Sequence, residues 1–251
     1  MSASNALPLA SRVGDASSPA ANDHFAQYLC LCCGPLLALG FGFGFVLLGG
    51  YVPPPAPTLS ATEIAGLYAA NATPIRVGMF ICILAMLLLT PWGIGLALRT
   101  PARTQSPTLF ITQICMVAMS SVVSVISCIL WSLASFRAGT ISPEIILSIN
   151  DSAWFMFLLT WPSFSVWFVL LGIGVLQDKR KNPGYPRWTA YLSFWTALLL
   201  IPGGLIPFFK TGPFAWNGLL AFYVVVIAFF IWLATMSTCA FRSLQRERAA
   251  R

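Results

Sequence analysis

The sequence predicts an all-α protein: a six-helix transmembrane bundle with two short extracytoplasmic surface helices. Three observations carry that expectation. Only 8% of the 251 residues are charged and 58% are hydrophobic, whereas a soluble domain carries about 25% charged residues. A soluble protein must still clothe its surface, so the solvent for much of this chain is lipid. The apolar residues fall in six runs of spanning length, about 20 residues each. The basic residues gather at the ends of those runs.

Residues 1–27 are rich in Ser, Ala and Asn, with too few large apolar residues to bury, and read as a mobile cytoplasmic tail. The apolar run behind them exceeds the roughly 7–15-residue core of a cleaved signal peptide and is expected to be a retained first span. That span covers about residues 28–51. Its small residues recur four apart, Gly34, Ala38 and Gly42, with Gly40 and Gly44 as a second pair, a spacing that lets helices approach closely in lipid. A polyproline-like stop follows at Pro53-Pro54-Pro55-Ala56-Pro57. Ser60-Ala61-Thr62-Glu63 then has capping-box spacing, and predicts a first surface helix ending near Asn71.

Span two covers about residues 75–98 and carries Thr90-Pro91-Trp92-Gly93, where a proline frees a carbonyl and kinks the helix. Span three, about residues 108–135, carries Ser120, Ser124, Cys128 and Ser132 four apart. Both small-residue ridges are expected to face protein. Ser142-Pro143-Glu144 is a helix-start signal and predicts a second surface helix to about Ile149. Asn150 or Asp151 is expected to cap span four, about residues 152–176, with Trp161-Pro162 as its kink. Span five, about residues 188–208, is broken by Pro202-Gly203-Gly204. The turn Lys210-Thr211-Gly212-Pro213 leads to span six, about residues 217–241, and residues 242–251 form a basic cytoplasmic tail.

The net charge is +7. With both ends inside, the cytoplasmic segments hold eleven of the 14 Lys and Arg residues; the exterior holds Arg76, Arg137 and Lys210. The reverse orientation violates the bias of basic residues towards the cytoplasm. The basic ends therefore point to topology and anionic headgroups, not to nucleic acid, which needs a clustered basic face. The expected partners are the lipid bilayer and, through the small-residue ridges, another membrane protein.

The side chains of common enzyme chemistries are missing. No Asp, Glu, Lys, Arg or His lies deep in a predicted span, which argues against proton relays and charged filters. The single histidine, His24, leaves no Ser-His-Asp arrangement and no imidazole-based metal centre. Seven cysteines form no disulfide framework. Cys30, Cys32 and Cys33 are the one thiol cluster; they fit either inert packing or a soft-metal or acylation site. No catalytic residue, metal ligand or cofactor is assigned.

Two constellations remain. Glu63, Arg76, Arg137, Glu144 and Lys210 stand on the exterior loops, either as local ion pairs and caps or as the polar mouth of a ligand site. The second lies in the spans. Leu87-Leu88-Leu89-Thr90-Pro91-Trp92-Gly93 resembles Leu198-Leu199-Leu200-Ile201-Pro202-Gly203-Gly204, as in an inverted three-plus-three repeat. A rival parallel repeat pairs Leu158-Leu159-Thr160-Trp161-Pro162 with the span-two motif. Matching Pro/Gly interruptions point to a transporter site, for which Pro91, Trp92, Pro162, Pro202 and Gly203 are the candidates. Kinks stabilised by neighbouring helices are the alternative.

The stretches Tyr185-Pro186-Arg187-Trp188 and Phe208 to Gly218 (FFKTGPFAWNG) give the chain a resemblance to a family of uncharacterised bacterial multi-pass inner-membrane proteins. The resemblance implies a bacterial inner-membrane setting and brings no catalytic residue with it. The functional expectation is a membrane protein that binds or moves a small neutral or lipophilic solute between spans two and five. The alternative is a non-catalytic accessory or scaffold subunit, with an enzyme third. A solute handler is expected to show a polar-lined cavity at mid-depth near Pro91 and Pro202.

Overall fold

The computed structural model describes residues 19–249, and all regular structure among them is helical. Six helical segments are long and apolar enough to cross a membrane: Asp23–Leu48, Ala72–Ala97, Pro107–Arg137, Pro143–Gln177, Trp188–Phe208 and Leu219–Ala249. Their outer faces are apolar at Phe80, Leu84, Ile111, Leu198 and Ile231. A surface so apolar is stable in hydrocarbon and not in water. The protein is a multi-pass membrane protein.

Helix α1 (Pro19–Phe41) passes into a π-helical stretch, Gly42–Leu48. It begins inside the segment expected to be a tail; residues 1–18 lie outside the described residues. Helix α2 (Ala61–Ala70) starts at the predicted capping box: Ser60 Oγ accepts from the Glu63 amide, and the Glu63 carboxylate accepts from the Ser60 amide. Span two is two helices, α3 (Ala72–Leu87) and α4 (Leu89–Ala97). After the short α5 (Ala102–Gln105), span three is the unbroken α6 (Pro107–Arg137).

Span four is α7 (Pro143–Leu158) followed by α8 (Trp161–Gln177). This corrects the expected second surface helix, because α7 runs through Asn150 and Asp151 without a break. Ser148 and Ser152 return their hydroxyls to the carbonyls of Glu144 and Ser148, and the Asn150 side chain accepts from Tyr68 instead of capping a helix. Span five is α9 (Trp188–Leu199) and a 3₁₀ stretch, Ile201–Phe208. Gly212, at φ +80°, takes the left-handed conformation that its turn requires. Span six opens as a π-helical stretch, Leu219–Val224, and continues as α10 (Val225–Ala249), so residues 242–249 extend the helix.

Each span packs on its sequence neighbours, and the last returns to the first. The result is a closed ring in which spans two and five stand opposite each other. A tight crossing joins span one to span two: a Cβ at Gly44 would collide with the carbonyl of Gly78, and one at Gly78 with the carbonyl of Gly44. Of the span-one ridge, Gly34 lies under Trp92 and Gly44 on span two, whereas a Cβ added at Gly42 would meet nothing within 4 Å. In span three Ser120, Ser124 and Cys128 are buried and Ser132 is half-buried.

The core falls into two aromatic clusters. The outer one gathers Phe45, Tyr51, Trp131, Trp154 and Phe222 with Trp216. The inner one gathers Trp92, Trp167, Phe168 and Trp232, with the rings of Phe168 and Trp232 4.0 Å apart. Hydrogen bonds between spans hold the inner cluster. Trp92 Nε1 donates to Ser237 Oγ at 3.1 Å, and Trp232 Nε1 donates to Ser193 Oγ at 2.8 Å. In lipid such bonds and close packing replace the hydrophobic drive between helices.

Candidate functional site: a cavity where the helix breaks meet

Proline removes one N–H from a helix and leaves the carbonyl four residues earlier without its donor. Pro91, Pro162 and Pro202 do this in spans two, four and five. The helices break just before each proline: at Leu88, at Leu159–Thr160 and at Leu200. Spans one and six change there too, at Phe41–Gly42 and Val224–Val225, where the π-helical stretches meet α-helix. The breaks in spans two, four and five lie towards the middle of their spans, and those in spans one and six lie nearer the ends at Leu48 and Leu219.

They surround one cavity of about 80 Å³ at the seam between the two aromatic clusters. Every span lines it. Phe41 comes from span one, Met86 and Leu89 from span two, and Ser124 from span three. Span four gives Phe157, Leu158, Trp161 and Phe164, span five Leu200, and span six Val225, Val226, Phe229 and Phe230. The lining carries no ionisable group. Ser124 supplies its only hydroxyl; the other side-chain heteroatoms are the Met86 thioether and the Trp161 indole nitrogen. The expected cavity was polar-lined, and the observed one is apolar. One leucine of each run beside the prolines, Leu89, Leu158 and Leu200, turns inward, whereas Leu87 and Leu198 face outward.

The five in-span candidates border this cavity without lining it. Pro91, Pro162 and Pro202 set the breaks whose neighbours, Leu89, Trp161 and Leu200, form the wall. Trp92 is fully buried in the inner cluster and bonded to Ser237. Gly203 packs near the carbonyls of Leu158 and Ala221. Trp161 was marked in sequence only as part of the span-four kink, and Phe41, Phe157, Phe229 and Phe230 were missed. Their only signal was an excess of aromatic residues at mid-span, which packing alone would also produce. Ser124 was visible as part of the serine ridge, but its neighbours there have other partners.

The five charged groups expected on the exterior are not brought together. Glu63 is held by Ser60, whose hydroxyl donates at 2.6 Å and keeps the carboxyl below its ordinary value. Arg76 turns back to the Ala72 carbonyl at 3.0 Å. Arg137 lies 5.2 Å from the Phe136 ring centroid. Glu144 and Lys210 are exposed, and neither joins an ion pair among the described residues. The polar centre at that end of the bundle is instead buried and neutral. Tyr51 Oη donates to Tyr68 Oη at 3.2 Å, and Tyr68 Oη donates to Asn150 Oδ1 at 2.9 Å. Burial pushes both phenols above their ordinary range, so both stay protonated and serve as donors.

Both ion pairs among the described residues stand at the opposite end. Arg99 is buried and donates to Glu247 Oε2 at 2.7 Å and to Gln27 Oε1. Arg180 binds Asp178 through Nε at 2.8 Å and Nη2 at 2.7 Å, and also donates to the Arg99 carbonyl at 2.6 Å. Asp178 accepts from the Gly184 amide at 3.0 Å, and Tyr185 Oη donates to the Leu96 carbonyl at 3.0 Å. Burial alone would push the Asp178 carboxyl up; the bonds from Arg180 and Gly184 outweigh it and hold the group below its ordinary range. This clamp joins α1, the loop after α4, the loop after α8 and the end of α10. Of its members, Arg99 and Arg180 were read in sequence only as topological charges, and Tyr185 only as part of the motif that carries the resemblance.

Among the described residues no group of three or more His, Cys, Asp or Glu could hold a metal ion. Cys30, Cys32 and Cys33 are half-buried free thiols on α1. Comparison with protein-family models, curated proteins and solved structures gave no match.

Proposed function

We propose that this protein holds or passes a small lipophilic solute at mid-depth of a bacterial inner membrane, with both termini in the cytoplasm. One observation carries the reading: the irregular turns of five spans converge on a single apolar cavity lined by all six. Irregular backbone at membrane depth is costly and persists where protein or a cavity receives it. Broken helices facing one another across a bundle are the usual construction of a transporter site. The uncharged lining suits a neutral guest. A charged one would leave water without a partner at considerable cost.

The orientation rests on the basic residues at the clamped end and on the resemblance of the Tyr185–Trp188 and Phe208–Gly218 stretches to bacterial inner-membrane proteins. In the same orientation α2 rests on the outer surface. Against an accessory-subunit reading stands the direction of the ridges, since Gly34, Gly44, Ser120, Ser124 and Cys128 all turn into the bundle.

The test is co-purification. The full chain is isolated in mild detergent and its small-molecule and lipid content compared by mass spectrometry with that of Leu200→Trp, which fills the cavity from span five. The expected result is a neutral lipophile retained by the wild type and lost from the folded variant. Identical content in both proteins would overturn the reading.

A further inference from the structure

We infer that the guest of the cavity is a small neutral molecule carrying one hydrogen-bonding oxygen, a short-chain alcohol or carbonyl compound, held by the hydroxyl of Ser124. This rests on the reading that the cavity is a solute site and adds the class of solute.

The hydroxyl itself points to such a guest. Four serines lie close together on α6, and three have partners. Ser120 meets Ser163 at 2.8 Å, Ser121 donates to the Met86 carbonyl at 2.6 Å, and Ser127 donates to the Val123 carbonyl at 3.1 Å. Ser124 is only 2% exposed, has no hydrogen-bond partner among the described residues, and lines the cavity. A buried side-chain hydroxyl is ordinarily hydrogen-bonded, and the cavity is where this one can reach a partner. A serine in a helix ordinarily returns its proton to the carbonyl four residues back, as Ser120 and Ser127 do. Ser124 keeps its hydroxyl free in the one place where a guest could meet it.

Size narrows the class. A cavity of about 80 Å³ is roughly half the ~150 Å³ apolar cavity that admits benzene. By that ratio it takes a molecule of about three or four heavy atoms, not a sterol, a quinone ring or a whole lipid. The rest of the wall narrows it further. Trp161 carries the other N–H, but that edge is turned onto span five, where a Cβ at Gly204 would collide with Nε1. The site therefore offers one hydrogen-bonding hydroxyl on an apolar wall, the complement of a short apolar chain bearing one oxygen.

The experiment uses two fluorinated probes of equal size, 2-fluoroethanol and 1-fluoropropane, titrated by fluorine NMR onto the full chain in detergent. Wild type, Ser124→Ala, Ser124→Thr and Leu200→Trp are compared, and thermal melting confirms that each is folded. The ratio of affinities between wild type and variant cancels partition of a probe into detergent. The expected result is that Ser124→Ala weakens the alcohol about five-fold, the worth of one hydrogen bond, and leaves the fluoroalkane unchanged. Ser124→Thr keeps the preference, and Leu200→Trp loses both probes. Equal binding of the alcohol to wild type and Ser124→Ala overturns the proposal while leaving the solute reading in place. So does binding of the fluoroalkane alone. If wild type binds neither probe, the solute reading fails with it.

Discussion

Asp178 shows how one side chain organises a loop at the membrane boundary. Its carboxylate takes bonds from both Arg180 and the Gly184 amide, and Gly184 then lies so close to the Arg99 carbonyl that no Cβ could be placed there. Replacing Asp178 by Asn weakens charge-assisted bonds in a buried setting, with an expected loss of about 1–3 kcal/mol at neutral pH. The pH dependence follows from the direction of its shift. A carboxyl held below its unfolded value of about 3.9 stabilises the fold fully above that value and loses the contribution as pH falls through the folded one. Thermal melts in detergent should show a constant gap between wild type and Asp178→Asn from about pH 8 to pH 5, closing below about pH 4. A gap that widened on acidification would contradict the assignment. Nothing in the sequence marked Asp178 as more than a loop charge, because its role depends on Arg99 and Gly184 arriving from elsewhere in the chain.

At the scale of elements, the bundle is set by where helices approach and where they break. Span one meets span two through Gly44 and Gly78, each seated on the other's carbonyl. Overpacking that crossing should separate the two spans, so Gly78→Val is expected to lose about 1–3 kcal/mol or more. Gly42→Ala, pointing into open space, should stay within about 0.5 kcal/mol of wild type. Reversible denaturation in mixed micelles measures both; equal losses would mean that the crossing is misplaced. The contrast also shows how much spacing could reveal. The four-residue recurrence from Gly34 to Gly42 marked a ridge correctly in type, but a helix that turns π-helical at Gly42 rotates the residues beyond it, and no Pro signals that change. The breaks at Leu88, Leu159–Thr160 and Leu200 were legible because Pro91, Pro162 and Pro202 enforce them. The π-helical stretch at Leu219–Val224 was not. The second surface helix failed for a related reason: Asn150 has the chemistry of a cap, but Tyr68, 82 residues earlier, claims its side chain.

For the whole molecule, six apolar runs separated by charged loops were sufficient to predict six spans, since hydropathy reports the solvent directly. Their arrangement as a closed ring was not written in any one run. Neither was the cavity, whose wall takes one to four residues from each span. Pro91 and Pro202 marked two of the helix breaks beside the cavity, whose wall is not confined to spans two and five; its apolar character arises from the Phe residues that other spans bring there. If the cavity receives lipophilic guests from within the membrane, a short alkyl diazirine should enter it. Photolabelling in proteoliposomes, with peptide mapping of the products, reads this out. The expected label falls on Phe157–Phe164 and Val225–Phe230, and is lost in Leu200→Trp while label on the outward faces at Phe80 and Ile111 persists. Label confined to those outward faces in the wild type would contradict a guest site at mid-depth.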